Sequence, residues 1–134
     1  MPIKYESAPD ILARLYDIAK KVGMGMEHVQ FSGVYAVRSR GSASRGTIAR
    51  CHAMGKAMQI ALNRKGYYLI EVISKRFDKM SEEDKTKVII HELMHIPKTF
   101  GGGFIHHNVV HEGNVKNVYE HFCKLKEDKN KKWF

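Results

Sequence analysis

Residues 81–97 read SEEDKTKVIIHELMHIP, and this stretch organises the rest of the chain around it. Ser81 is a good helix N-cap, and Asp84 stands three residues on, in the capping-box position. Glu82 and Glu83 complement the positive end of the helix that follows. Val88, Ile89, Ile90, Leu93 and Met94 then make the helix apolar over most of its circumference, which predicts a central, buried element. Pro97 stops it. A helix of that kind avoids polar side chains, because buried polar groups need partners. This one carries His91, Glu92 and His95.

On either side the pattern is mixed. Ile11, Leu12, Leu15, Ile18, Ala19 and Val22 recur at helical spacing and predict a first helix over 9–22, with Gly23 after its end. Val29, Phe31, Gly33, Tyr35 and Val37 alternate as a strand over 29–37, and Val34 and Ala36 make its second face apolar as well. RSRGSASRG, residues 38–46, reads as a basic Gly/Ser hairpin loop. A returning strand is expected over 47–53, a short helix over 56–63 and a turn at 64–66. YYLIEVI, residues 67–73, is the strongest strand, being rich in aromatic and β-branched residues. Gly101 to Gly103 form a turn. Val115, Val118, Tyr119, Phe122 and Leu125 predict a last amphipathic helix, with a basic tail over 126–134 expected to fray. One helix, short strands and two further helices make an α+β domain with a short, mostly antiparallel sheet. No repeat or composition break divides the 134 residues, so a single domain over 1–134 is expected.

Composition narrows the functional classes. The chain is 43% apolar and 28% charged, which excludes disorder as its main state. No apolar run is long enough to span a bilayer. MPIKYESAPD has neither an apolar h-region nor a cleavage pattern, and two cysteines build no disulfide scaffold, so a cytoplasmic protein is expected. The net charge of +9 favours weak association with nucleic acid or an acidic partner. Arg38, Arg40, Arg45 and Arg50 are the candidates for that contact, against the plainer reading of a solvated loop.

Six of the eight histidines lie between positions 91 and 121. His91-Glu92-Leu93-Met94-His95 is the HExxH pattern. Residues four apart share one face of a helix, so both imidazoles reach one metal ion, and Glu92 stands beside them as a base for a water. One zinc ion is the expected cofactor. A third protein ligand is needed. Lys98 and Gly101 stand where the metzincin pattern has glycine and histidine, so that pattern is excluded. The downstream donors are His106, His107, His111, Glu112 and Glu120. The glycine run lets the chain fold back on the helix, which favours His107, then His106 and His111. Glu112 or Glu120 on the last helix is the competing geometry. Cys51-His52 with His121 and Cys123 lack the spacing of a structural zinc site. Tyr119 is a candidate to assist an oxyanion, with core packing as its more ordinary role.

RSRGSASRGTIARCHA, followed by YLIEVISKRFDKMSEEDKTKVIIHELMHIPKTFGGG, resembles the metallopeptidases of archaea and bacteriophages, a zincin-like family. The likeness runs from Met1 through the last helix, and HELMHIP followed by the glycines is its specific part. The resemblance implies a small zincin-like domain with zinc held by His91 and His95, Glu92 as base and His107 as the third ligand. It implies a peptide or protein substrate. The alternative is a non-catalytic zinc-binding protein associated with nucleic acid. More distantly, the chain is similar to the basic SprT-like proteases of DNA–protein crosslinks.

Overall fold

Pro9 opens the first long helix at a position where its missing N–H costs nothing, and Asp10 in the first turn and Lys20 and Lys21 in the last complement the helix dipole. In the computed structural model, which describes residues 2–22, 33–41, 46–97, 101–103, 105 and 112–131, this helix is α1 (Pro9–Val22). Four strands accompany it: β1 (Lys4–Ser7), β2 (Val34–Arg40), β3 (Ala49–Ala53) and β4 (Tyr68–Ile73). Four more helices are α2 (Lys56–Ala61), α3 (Ser74–Phe77), α4 (Glu82–Met94) and α5 (Glu112–Lys131). None of the helices among the described residues is long and apolar enough to cross a membrane.

The sheet order is β1-β2-β4-β3. β1 runs antiparallel to β2 and β3 antiparallel to β4, while the central pair β2 and β4 is parallel. The fold is thus α+β with a mixed sheet. Register puts Val34 beside Tyr68 and Ala36 beside Ile70, so these four share one face, and all are buried. Against that face pack α1 and α4 through Ile11, Leu15, Ile18, Ile89, Ile90 and Leu93, and α5 packs on both helices through Val115, Val118 and Phe122. Each large apolar side chain fully buried here contributes about 1.5–3 kcal/mol against leaving it in water.

Several expectations are corrected. The strand expected at 29–37 is β2 at 34–40, so Arg38, Ser39 and Arg40 belong to the strand and not to a loop; residues 29–32 lie outside the described ones. Its core face is Val34 and Ala36, while Tyr35 remains 38% exposed. Both faces were apolar in sequence, and helix packing chose between them. β3 is not the hairpin partner of β2, because β4 lies between them. β1 carries no apolar alternation and is exposed throughout; its pairing comes from register with Val37 to Arg40. The four-residue α3 was not expected. α5 begins at Glu112 and runs to Lys131, taking in residues 126–131 assigned to the tail.

Arg38 ties these elements together. Its guanidinium donates to Asp10 at 2.7 and 3.1 Å and to Asp78 at 2.7 Å, joining β2 to the start of α1 and the end of α3. The Arg38 hydrogen bond holds the Asp10 carboxyl below its usual range. Burial raises that of Asp78, but the Ser74 hydroxyl and Arg38 outweigh it and the net shift is downward. Carboxyls lowered in the folded state stabilise it above their unfolded value of 3.8, and the contribution disappears as pH falls through the folded values. In thermal melts, Arg38→Met is expected to lie below wild type at pH 7, with the gap narrowing toward pH 3. A gap independent of pH would show that the ion pairs contribute nothing.

Candidate active site

α4 begins as its sequence requires, with the Ser81 hydroxyl accepting the Asp84 N–H at 3.2 Å. It ends at Met94, and His95 caps it. The spacing of four brings His91 and His95 together: their Nε2 atoms are 3.3 Å apart and their ring planes meet at 73°. His95 is 1% exposed. Its Nδ1 donates to the Ile105 carbonyl, and the Ile105 N–H donates back to the His95 carbonyl at 2.8 Å. A proton on Nδ1 leaves the lone pair on Nε2, the nitrogen that faces His91.

Glu92 lies 3.9 Å from the His91 Nε2 and is 7% exposed. Its carboxylate accepts the backbone N–H of Cys51 on β3. Ile48 and Met54 bond to β4, accepting from Ile73 and donating to Tyr67, both at 2.8 Å. Ladder alternation then turns the N–H and C=O of Ala49, Cys51 and Ala53 away from β4. Cys51 thus serves Glu92 because β3 is the edge of the sheet beside α4. Burial pushes Glu92 up to about 7, against the lowering effect of the Cys51 N–H. A carboxylate at that value accepts and releases protons near neutral pH. Burial also pushes the Cys51 thiol up to about 12, so it stays protonated at neutral pH.

The glycine run is clamped from both sides. The Tyr68 hydroxyl accepts the Gly102 N–H at 3.0 Å and donates to the Gly103 carbonyl at 2.9 Å. The Gln59 amide donates to the Met54 and Gly101 carbonyls, both at 2.9 Å. These contacts hold the loop that carries Ile105 to His95. Sequence reading missed Tyr68 and Gln59. Tyr68 sat in an apolar strand where nothing marked its hydroxyl as used, and Gln59 lay in a segment of ambiguous period.

The structure therefore brings His91, Glu92 and His95 into one place. His106, His107 and His111 lie outside the described residues. Glu120 is exposed on α5. His52 turns to the opposite face of the sheet, where its Nε2 meets Glu71 at 2.8 Å. His121 and Cys123 are half-buried on α5. Tyr119 packs against the core beneath Lys87. Among the described residues no three His, Cys, Asp or Glu side chains gather as a metal site. Arg38 and Arg40, offered by the sequence to a polyanion, are engaged with Asp10, Asp78 and Glu6. Arg45 lies outside the described residues.

Residues 3–123 match the family described as "Putative phage metallopeptidase", and the chain belongs to that family. The match runs from the strand at the sheet's outer edge into α5 and takes in all of α4. No curated protein and no solved structure matches the chain.

The loop clamp is tested at Gly102. Its φ is +105°, and an added Cβ would stand 2.4 Å from the Gln59 Nε2 and 2.7 Å from the Met54 carbonyl oxygen. Gly102→Ala is expected to destabilise the fold by at least about 1–3 kcal/mol. At Gly103 a Cβ meets nothing nearer than 3.5 Å, so Gly103→Ala is expected to melt close to wild type. Equal melting temperatures for the two variants would refute the clamp.

Proposed function

We propose that this chain is a zinc-dependent peptidase in which His91 and His95 hold the metal, His107 supplies the third protein ligand and Glu92 is the general base. The observation that carries this reading is the convergence of two imidazole nitrogens, 3.3 Å apart, beside a buried carboxylate. Zinc takes imidazole nitrogens at about 2.0–2.1 Å in a tetrahedral arrangement, which puts two of them about 3.3 Å from each other. The residues present therefore fit the ion.

Zinc, when bound, supplies a Lewis acid that polarises the attacked carbonyl and makes a water acidic near pH 7. Glu92 takes the proton from the attacking water and delivers it to the leaving amine. The Cys51 N–H holds one side of the carboxylate and restricts its rotation. The Ile105 carbonyl keeps His95 in the tautomer that directs Nε2 inward. Ile105 bonds to His95 in both directions, and His106 and His107 are the next two residues in the sequence. That favours the His106-His107 pair over Glu120 on α5.

β3 gives the substrate a place to lie. An extended peptide pairs with an exposed sheet edge through its main chain, and the outward groups of Ala49 and Ala53 belong to such an edge. β2 is flanked on both sides and has no edge to give.

Metal analysis tests the reading directly. Wild type is expected to carry one equivalent of zinc, and His107→Ala to lose it or bind it loosely. Zinc kept at wild-type affinity in His107→Ala would move the third ligand to His106, His111 or a glutamate. Glu92→Gln is expected to keep the metal and to lose hydrolysis by about 10²–10⁴-fold, the scale of general-base removal. Activity retained in Glu92→Gln, or no zinc in wild type after loading, would overturn the proposal.

A further inference from the structure

Beside His91 and Glu92 lies a cavity of about 420 Å³ that the proton transfers leave unused. Its apolar walls are Ile48, Ala49, Met80, Val88 and Val115. Ile48, Met80 and Val88 are half-buried, packed on the core along one side and lining the cavity along another. Besides Glu92, the charged residues of the lining are Asp84, Lys87 and Lys116. Asp84 and Lys116 are exposed and opposite in sign, and Lys87 is held by Glu83 at 3.1 Å.

The position of this cavity matters more than its size. Along α4, Asp84, Lys87, Val88, His91 and Glu92 follow at spacings of three and four, so the cavity runs up one face of the helix from the histidine pair. Val88 stands about 4.5–6 Å along the axis from His91 and Glu92 at 1.5 Å per residue. An extended peptide advances about 3.3 Å per residue. A side chain seated on Val88 therefore belongs to a residue one or two positions from a carbonyl at the histidines. Ala49 lines the cavity and also turns its N–H and C=O to the sheet edge. A peptide bonded to Ala49 thus sends one side chain into the cavity.

Resting on the peptidase reading above, we propose that this cavity is the specificity pocket and that it takes a bulky apolar side chain, Leu, Met or Phe, flanking the scissile bond. An apolar cavity of about 150 Å³ accommodates benzene, so a phenyl or isobutyl group enters this one without strain. Among the described residues, an acidic side chain finds Lys87 already held by Glu83 and the exposed Lys116 offset by Asp84 in the same lining.

The test has two arms. In the first, zinc-loaded wild type, Val88→Phe and Val88→Ala digest a mixed peptide library, and the cleaved bonds are mapped by mass spectrometry. Wild type is expected to cut beside Leu, Met or Phe at least about 10-fold faster than beside Ala, Asp or Lys, the scale of one or more missing methylenes. Val88→Phe, which fills the pocket, is expected to shift the preference to Ala, while Val88→Ala keeps the large residues. In the second arm, the methyl resonances of Val88 and Val115 in the metal-free protein are followed while N-acetyl-leucinamide or N-acetyl-aspartamide is added. Saturable shifts with the leucine amide alone, weakened in Val88→Phe, are expected. Cleavage without side-chain preference, or with preference for a charged residue, overturns the pocket while leaving hydrolysis intact. Leucinamide binding with no cleavage of any peptide overturns the peptidase reading and keeps the pocket. Neither binding nor preference overturns the inference outright.

Discussion

α4 must be buried, and it must carry two histidines and a glutamate. That conflict governs the rest of the structure. Ile89, Ile90 and Leu93 hold the helix in the core, so its polar side chains lose water and need protein partners. The backbone supplies them. Cys51 gives its N–H to Glu92, and Ile105 gives its carbonyl to His95. Both partners stand at places where regular structure leaves a main-chain group unused, one at a sheet edge and one in a loop beyond a helix end.

That solution imposes conditions elsewhere. For Cys51 to serve Glu92, β3 must be an edge strand lying beside α4, and the order β1-β2-β4-β3 puts it there. For Ile105 to serve His95, the chain must reverse within a few residues of Pro97. Gly102 makes the reversal at positive φ, and its hydrogen atom lets Gln59 and the Met54 carbonyl approach closely. The Tyr68 hydroxyl then ties the loop to the central strand. Strand, loop and helix end are thereby coupled, and the histidine pair inherits the rigidity of the sheet. The raised value of Glu92 comes from the same arrangement, since burial beneath the edge strand removes its water.

The outward side of β3 and the cavity beneath it follow from the same edge. A strand with a neighbour on both sides would have left Glu92 without a backbone donor. Arg38 does comparable service at the opposite end of the helix face, where one guanidinium joins β2, α1 and α3.

Elements that depend on near neighbours could be read from the chain directly. α1, α4 and its Ser81 cap, β4 and the spacing of His91 and His95 all follow from residues within a turn or two of each other, because periodicity and capping are local effects. The position of β2, the parallel pairing of β2 with β4 and the existence of β1 did not. Val34 and Tyr35 are both apolar enough to face inward, and contact with α1 decided between them. β1, with Lys4-Tyr5-Glu6-Ser7, carries no hydrophobic signal at all and exists because Arg40 to Val37 lie opposite. At the site, the sequence by itself determined that two imidazoles and a carboxylate share one stretch of helix. Tertiary structure decided what surrounds them: the Cys51 N–H, the Ile105 carbonyl, the Tyr68 and Gln59 clamp and the cavity at Val88. These are meetings of residues separated by ten positions at His95 and Ile105 and by 42 at Gln59 and Gly101, and no spacing rule along the chain encodes which main-chain group will find itself beside which side chain.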